Sequence, residues 1–414
     1  MHISGTRCDD APDVSIPTDP GGVHMIEAGL ALVWFTIVSS ALVGCAVIER
    51  WSRLAGVRSR PEWRPPRAAW GFDPEPPPVS YLIARALAGG ARLVRSRTIV
   101  GDRSVSQRVL GRVVTCVALA SALALVPFAG TWGGRSDGVA LVVVDLRHGL
   151  VALVFLVLLM AMGQVTMGLA EQSVWSRLGS ARVASRSLVG LGLFVLVLAP
   201  LTLETGSLRL HDIVFAQQQT FSPFSWLPTE VGGEVFKVAR GWRWPGWNLF
   251  AQPLTALLFL PALAGLTRSP WAYDAVSGSM GTSGFGLDSE PVDLHWGRLE
   301  ARLSKVLAAS LFVSLFLGAG AIPFVSASAV VDLLEPFFGF ALSALLGVVI
   351  QIGVFSGKLM IVLVLASFLR RVTATVRADQ WIEIIAFRLF PLGWANLLLM
   401  SALELLSDSI RGGA

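Results

Sequence analysis

Residues 148–170 read HGLVALVFLVLLMAMGQVTMGLA, and this stretch decides the fold class. It contains no Asp, Glu, Lys or Arg, and it exceeds the ~20 apolar residues that a helix needs to cross the ~30 Å hydrocarbon core of a bilayer. Further apolar runs of comparable length lie at 26–47, 109–130, 183–203, 249–266, 303–323, 338–368 and 382–406. The sequence therefore predicts an all-α polytopic membrane protein with about eight transmembrane helices.

The overall composition agrees with this prediction. Hydrophobic residues make up 54% of the chain and charged residues only 15%, whereas soluble domains carry about 25% charged residues. Cys8, Cys45 and Cys116 show neither CxxC nor mixed His/Cys spacing, so the sequence predicts no metal site and no disulfide framework. Nucleotide-binding, serine-hydrolase and zinc-protease motifs are absent from the sequence. We therefore expect no cofactor on this chain, and any catalysis would require a larger assembly.

Charge divides the chain into a membrane domain, 26–406, with a short tail at each end, 1–25 and 407–414. The first tail is acidic, unlike the basic start of a cleavable signal. Arginines concentrate in loops 49–108, 170–182, 267–302 and 369–381, which the positive-inside rule assigns to the cytoplasmic side. Both termini are then predicted outside, in the cell inner (plasma) membrane. The net charge of +5 favours acidic protein partners or anionic lipid, and no motif favours nucleic acid.

Residues 79–97, in the first predicted inner loop, combine apolar side chains at helical spacing with interleaved arginines. This pattern is typical of an amphipathic helix that lies in the headgroup plane. A solvated basic loop that holds anionic lipid is the alternative. The sequence leaves both interpretations open.

Ionisable side chains within apolar runs are functional candidates because burying a charge in hydrocarbon is costly. Lys358 is the clearest case, either as part of a polar network or as a side chain that snorkels to the interface. Asp145 and Arg147 lie at the outer end of the third predicted helix, where an Asp–Arg pair would anchor it. Arg182 and Arg186 share a helix face by their spacing of four. Glu300 flanks the sixth predicted helix, where interfacial snorkelling is the simplest explanation.

Several motifs resemble the H/ND1 subunit of respiratory complex I, NADH-quinone oxidoreductase, and the homologous membrane subunit of energy-converting hydrogenases. In chain order they are Glu49-Arg50, Asp145 to Leu150, Leu178 to Arg182, Gly206 to Gln217, Trp247 to Pro253, Thr267 to Pro270, Lys358, Arg371, Ala374-Thr375, Asp379-Gln380 and Pro391-Leu392. Each motif is short, but together they keep the family's order over residues 45–392. The resemblance is therefore fairly specific.

The resemblance implies a membrane subunit that seats the peripheral electron-transfer arm, walls a quinone cavity and takes part in proton translocation with antiporter-like partner subunits. The implied quinone-site or coupling residues are Glu49, Arg50, Arg268, Asp288, Asp293 and Arg298. The membrane polar network would comprise Asp145, Arg182 and Lys358, and arm docking would involve Arg371, Arg377 and Asp379. Quinone would be a substrate rather than a bound cofactor.

The family's acidic loop is altered in this chain. Positions where the resemblance implies glutamates hold Ala275, Ser277, Ser279, Gly265 and Leu191. A serine hydroxyl can relay a proton, but it cannot store one at pH 7. These differences favour an alternative in which the chain is a non-pumping anchor of a hydrogenase-like or other complex I-related assembly. An independent transporter is a third hypothesis, disfavoured because the sequence shows no inverted repeat.

Overall fold

The computed structural model describes residues 20–58, 103–130, 140–171, 173–218, 220–221, 244–267, 291–325, 327–372 and 378–412. Helices dominate this part of the chain. They are α1 (Pro20–Arg58), α2 (Arg103–Ala124), α3 (Gly149–Leu169), α4 (Val174–Thr205), α5 (Leu210–Ala216), α6 (Asn248–Ala251), α7 (Pro253–Thr267), α8 (Pro291–Phe316), α9 (Ala327–Phe338), α10 (Phe340–Val372), α11 (Ala378–Ile384) and α12 (Phe390–Gly412). A π-helical turn, Ile385–Leu389, joins α11 to α12. Two short antiparallel strands, β1 (Thr220–Phe221) and β2 (Trp244–Pro245), pair before α6.

Six helical segments in the described residues are long and apolar enough to cross a membrane. They are Gly29–Ile48, Ser106–Ala124, Gly149–Leu169, Val174–Thr205, Leu342–Leu369 and Gln380–Leu406. The two remaining predicted spans, 249–266 and 303–323, correspond to the shorter α7 and to α8, whose first half is charged. The predicted all-α polytopic membrane fold is confirmed.

The helices begin and end at positions set by local backbone chemistry. Gly206 ends α4 in the left-handed conformation, with φ 64°, and its N–H donates to Thr202 O at 2.9 Å. Gly339, with φ 76°, separates α9 from α10. The predicted run 338–368 therefore contains a turn at its first residues, after which α10 runs unbroken to Val372.

Two glycines bring α2 and α3 into close contact. A Cβ at Gly163 would collide with Thr115 Oγ1 and would lie 2.8 Å from the carbonyl oxygen of Gly111. A Cβ at Gly111 would likewise lie 2.7 Å from the carbonyl oxygen of Gly163. Only glycine fits at these two positions, because the neighbouring atoms include backbone.

The hydrophobic core is shared by α1, α2, α3, α4, α7, α8 and α10. Trp34 of α1 stacks on Phe128 at a centroid distance of 5.6 Å, and Phe355 of α10 packs on the same indole at 5.9 Å. Phe316, at the end of α8, is fully buried and packs edge-on against Phe259 of α7. These contacts fix α8 between the other helices, which matters because α8 carries the buried acids described below.

The predicted interfacial helix at 79–97 lies outside the described residues. The assignment of the two membrane sides and the tail and loop boundaries stay predictions. Below, "inner" and "outer" denote the sides predicted from the arginines. In this sense α2 and α8 both begin at the inner side.

Candidate functional site

One face of α8 carries two buried acidic side chains. Asp293 is 2% exposed and Glu300 is 5% exposed, and both lie on the same side of the helix as the buried Gly297 and Ser304. The helix begins at Pro291, and Asp293 lies in its first turn, where a carboxylate complements the helix dipole. Seven residues at ~1.5 Å per residue place Glu300 about 10 Å further along the same face. We call Asp293 and Glu300 the α8 acid pair.

Two arginines of α2 face the first acid. Arg112 forms an ion pair with Asp293 through Nη2 and Oδ1. Nη1 of Arg108, one helical turn earlier on α2, lies 3.8 Å from Asp293 Oδ2. The guanidinium groups are 15% and 16% exposed, so the three charges form a largely dehydrated cluster. Mutual neutralisation explains how charged groups are retained there.

The second acid is held by an amide from another helix. Gln164 Nε2, on the fully buried side chain of an α3 residue, donates a 2.5 Å hydrogen bond to Glu300 Oε1. The prediction that Glu300 snorkels at the interface is therefore wrong. Its position on the face of α8 that packs against α2 and α3 turns the carboxyl group inward, away from lipid and water.

Lys358 lies in the middle of α10 and caps residues 317–321, which directly follow the outer end of α8. Its Nζ donates to the carbonyl oxygens of Leu317 at 2.6 Å, Ala319 at 3.0 Å and Ala321 at 2.6 Å. The ammonium also lies 4.4 Å from the ring centroid of Trp247. A cation at the carbonyl end of a helix is favourable for the helix dipole. Both the hydrogen bonds and the aromatic contact account for a lysine at membrane depth.

Two amide side chains complete this cap. Gln217 Nε2 donates to Ser314 O at 3.1 Å, and Gln217 Oε1 accepts from the backbone N–H of Gly318 at 2.9 Å. Asn248 Nδ2 donates to Leu315 O at 2.9 Å. Side chains from three separate segments thus satisfy backbone groups that helix termination would leave unpaired. We call Lys358, Gln217 and Asn248 the α8 cap.

Comparison with known families adds one decisive observation. A sequence profile of the NADH dehydrogenase family matches residues 81–401. The chain belongs to this family. Its members are complex I proteins of the H/ND1 type, so the predicted resemblance is confirmed. The protein is accordingly a multi-pass membrane component of a complex I type assembly, and other complex I subunits are its partners.

The structure describes only part of the predicted quinone site of this NADH dehydrogenase family member. Arg268 and Asp288 lie outside the described residues. Glu49 and Arg50 belong to α1, and Arg298 to α8, but only their backbone is described. Asp293 is the one predicted coupling residue whose side chain is described, and it is the first member of the α8 acid pair.

The predicted docking residues lie near the α10–α11 connection. Arg371 is in the last turn of α10 and Asp379 in the first turn of α11, while Arg377 lies outside the described residues. Arg182 lies in α4, which begins at Val174 and so extends into the predicted inner loop 170–182. Arg186, one turn later on the same helix, is 4% exposed. Arm docking by Arg371, Arg377 and Asp379 stays a prediction, and so does the membership of Arg182 in a membrane polar network.

At the outer surface, Asp145 pairs with Arg209, which immediately precedes α5, rather than with the predicted Arg147. The pair is partly exposed, with side-chain exposures of 25% for Asp145 and 42% for Arg209. Arg147 follows Asp145 closely in sequence, but the tertiary approach of α5 brings Arg209 to the carboxylate. The predicted anchoring pair is corrected to this one.

His211 lies beside that ion pair, at the start of α5, and is 7% exposed. Burial lowers the pKa of His211 below its ordinary value, although the charges of Asp145 and Asp212 oppose this and that of Arg209 adds to it. Nδ1 of His211 has no hydrogen-bond partner among the described residues. The folded protein therefore favours the neutral imidazole.

A hydrogen-bonded polar chain crosses between α12, α7 and α4, and no sequence pattern indicates it. Asn396 Nδ2 donates to Thr255 Oγ1 at 2.9 Å, and Thr255 Oγ1 donates to Gln252 Oε1 at 3.1 Å. Gln252 Nε2 then donates to Glu204 Oε2 at 2.7 Å. Three of these four residues are at most 2% exposed. Two of the three bonds join residues 141 and 48 positions apart in sequence, so spacing alone could not reveal the chain.

Across the described ranges, no three His, Cys, Asp or Glu side chains converge as metal ligands would. Neither the α8 acid pair nor the α8 cap therefore has the ligand set of a transition-metal site. The chemistry that these groups support is ionic and protonic. Carboxyl, guanidinium and amide groups are packed in the protein interior, where a change of charge is felt strongly.

Proposed function

We propose that this chain seats the peripheral electron-transfer arm of a complex I type assembly, helps to form its quinone site, and couples quinone reduction to proton translocation through the α8 acid pair. The observation that carries the proposal is the pair itself. Asp293 and Glu300 are buried on one helix face, and each is held by polar groups from neighbouring helices.

The position of α8 supports the coupling role. The helix follows directly on segment 268–290, which contains the family's loop and the predicted residues Arg268 and Asp288. A charge that appears on a quinone near this segment would act first on Arg108, Arg112 and Asp293. A rearrangement of that ion cluster would then act on Glu300, which lies further along α8.

The distance between Asp293 and Glu300 is short enough for a charge at one acid to affect proton binding at the other. Two unit charges about 10 Å apart interact by ~1.7 kcal/mol at an effective dielectric constant of about 20. Such an energy changes a proton-binding constant by roughly tenfold. Loss or gain of one charge at the Asp293 cluster is therefore enough to change the protonation of Glu300 substantially.

The test uses the native assembly in proteoliposomes, with quinone reduction and proton uptake measured in parallel. Glu300→Gln keeps the hydrogen-bonding shape but cannot exchange a proton. We expect quinone reduction to persist while proton translocation falls at least several-fold. Glu383→Gln, at an exposed acid of α11, is the matched control and should leave both activities unchanged. Full proton translocation by Glu300→Gln would contradict the proposed pathway.

Two observations favour a second function, a non-pumping anchor. Leu191 stands where the resemblance implies a helix-four glutamate, and it packs against the hydrophobic core instead. Asp293 is also neutralised by arginines, as in a purely structural ion cluster. In this case the unmodified assembly would reduce quinone without any proton translocation. The same proteoliposome assay distinguishes the two functions.

A further inference from the structure

α9 and the start of α10 form a helical hairpin around Gly339. Val331 of α9 packs against Gly347 of α10, since a Cβ on that glycine would lie 3.2 Å from Val331 Cγ2. The two residues lie equally far from Gly339 in sequence, as in an antiparallel hairpin. Gly339 N–H donates to Glu335 O at 2.9 Å and closes the turn. We call residues 327–350 the α9–α10 hairpin.

This hairpin extends beyond the outer ends of α2 and α8. Gln351 Oε1 accepts from the backbone N–H of Gly130, in the segment that follows α2. Gly320, which follows the end of α8, also lies close to α10. A Cβ added to this glycine would lie 2.7 Å from the backbone carbonyl oxygen of Gln351. Helix α10 begins at Phe340, which lies about 16 Å beyond Gln351 along the helix axis, at a rise of ~1.5 Å per residue.

We infer that the boundary between hydrocarbon and water lies near the level at which α2 ends. The partly exposed ion pair of Asp145 and Arg209 lies beside Leu125, which directly follows α2. An exposed ion pair is costly in hydrocarbon, so this level belongs to the headgroup region or to water. The apolar span Leu342–Leu369 of α10, at 28 residues, is also longer than the ~20 that a bilayer requires.

Large apolar side chains nevertheless cover the hairpin. Leu333 is 72% exposed and Phe337 is 78% exposed on α9. On α10, Leu342, Leu345 and Val349 are exposed at helical spacing. Asp332 and Glu335 are exposed on a different side of α9, which indicates that part of this helix faces water. An exposed apolar surface of this kind outside the hydrocarbon region marks an interaction site.

We propose that the α9–α10 hairpin is the docking surface for another subunit of the complex I type assembly. The partner presents an apolar helical surface to Leu333, Phe337 and Leu345, and a Lys or Arg side chain to Asp332 or Glu335. We expect a protein rather than lipid here, because the hairpin lies beyond the level of the partly exposed ion pair of Asp145 and Arg209. Membership of a family of complex I subunits supplies the class of partner.

The experiment places a photo-crosslinking phenylalanine analogue at position 337 of the full chain, in native membranes that contain the whole assembly. We expect an adduct with a subunit that co-isolates with the native complex, and its loss when the chain is expressed without the other subunits. An adduct with lipid, with a second copy of this chain or with no protein in the intact assembly would overturn the proposal.

A pair of substitutions tests the same surface energetically. Leu333→Gln with Phe337→Gln changes exposed side chains only, so the amount of folded chain should be retained. Recovery of the docked subunit with the chain should fall at least fivefold. Unchanged recovery, with normal amounts of both proteins, would also refute the proposal.

Discussion

Gln164 of α3 and Glu300 of α8 are joined by a 2.5 Å hydrogen bond, although 136 positions separate them in sequence. This bond connects the two helices at the depth where the α8 acid pair lies. Removal of the amide would leave the carboxyl group buried without this donor, which costs about 1–3 kcal/mol for a typical buried polar group. The interaction is therefore accessible to a double-mutant test.

The first prediction concerns this pair. Gln164→Leu should lower the free energy of unfolding by about 1–3 kcal/mol, and the double variant Gln164→Leu with Glu300→Met should regain most of it, because no polar group then remains unpaired. Thermal unfolding of the purified protein measures both. The control is Met162→Leu, at an exposed position of α3. A double variant that is less stable than Gln164→Leu alone would count against the explanation.

The second prediction separates the two arginines of α2. Arg112→Ala should destabilise the protein by about 3–5 kcal/mol, because it leaves the carboxylate of Asp293 buried without its closest partner. Arg108→Ala should cost less, since its nitrogen lies 3.8 Å from the carboxylate. Chemical denaturation of both variants tests the order. Equal losses of stability would contradict this order and would show that both arginines stabilise the Asp293 carboxylate to the same extent.

The third prediction concerns the α8 cap. Lys358→Met removes the donor to three carbonyl oxygens in the segment that follows α8, and we expect a loss of at least about 1–3 kcal/mol in stability. Leu365→Met, at an exposed apolar position of the same helix, should have little effect. Melting temperatures of the two variants are compared with that of the wild type. A stable Lys358→Met protein would mean that water replaces the ammonium.

The fourth prediction is a pH dependence at the outer surface. In the unfolded chain His211 titrates near pH 6.5, whereas burial lowers the pKa of His211 in the folded protein. As the pH falls below about 6.5, the unfolded state binds the proton first, so the stability of the folded state decreases. His211→Leu should reduce this loss between about pH 7 and 5.5, measured as melting temperature. His148→Gln, at an exposed histidine, should preserve it.

The fifth prediction tests the contact between α2 and α3. Gly163→Ala places a Cβ 2.8 Å from a backbone oxygen, so the helices must separate, and we expect a destabilisation of about 1–3 kcal/mol. Gly353→Ala, in a helix with open space around the glycine, should be neutral or slightly stabilising. Thermal unfolding of both variants provides the comparison. Similar effects at the two sites would argue against close helix packing as the cause.

The membrane fold could be predicted from the sequence because long apolar runs specify it directly. Runs such as 148–170 match a helix within one residue at each end, since a helix in hydrocarbon must satisfy its own backbone hydrogen bonds. The predicted run 338–368 crosses the turn at Gly339, because the residues directly beside that glycine, Phe338 and Phe340, are both apolar. The short α7 and the charged first half of α8 likewise fall between the patterns of a span and a loop.

The polar contacts are less predictable for a different reason. Asp293 is a candidate from sequence because it is an acid near a membrane segment, but its partners on α2 lie far away along the chain. The charged neighbours of Glu300 favour an interfacial position, whereas the structure turns it toward α3. The pairing of Asp145 with Arg209 depends on how α5 folds back, and no local spacing encodes that.

The cap at Lys358 has a mechanical consequence for α8. The segment that directly follows its outer end is held by three hydrogen bonds to one ammonium group, whereas its inner end carries the Asp293 ion cluster. Because these hydrogen bonds resist displacement of the outer end, we expect a force at Asp293 to tilt the helix about the region near Leu317 rather than to slide it along its axis. Side chains near the inner end would then move furthest, which makes α8 a lever.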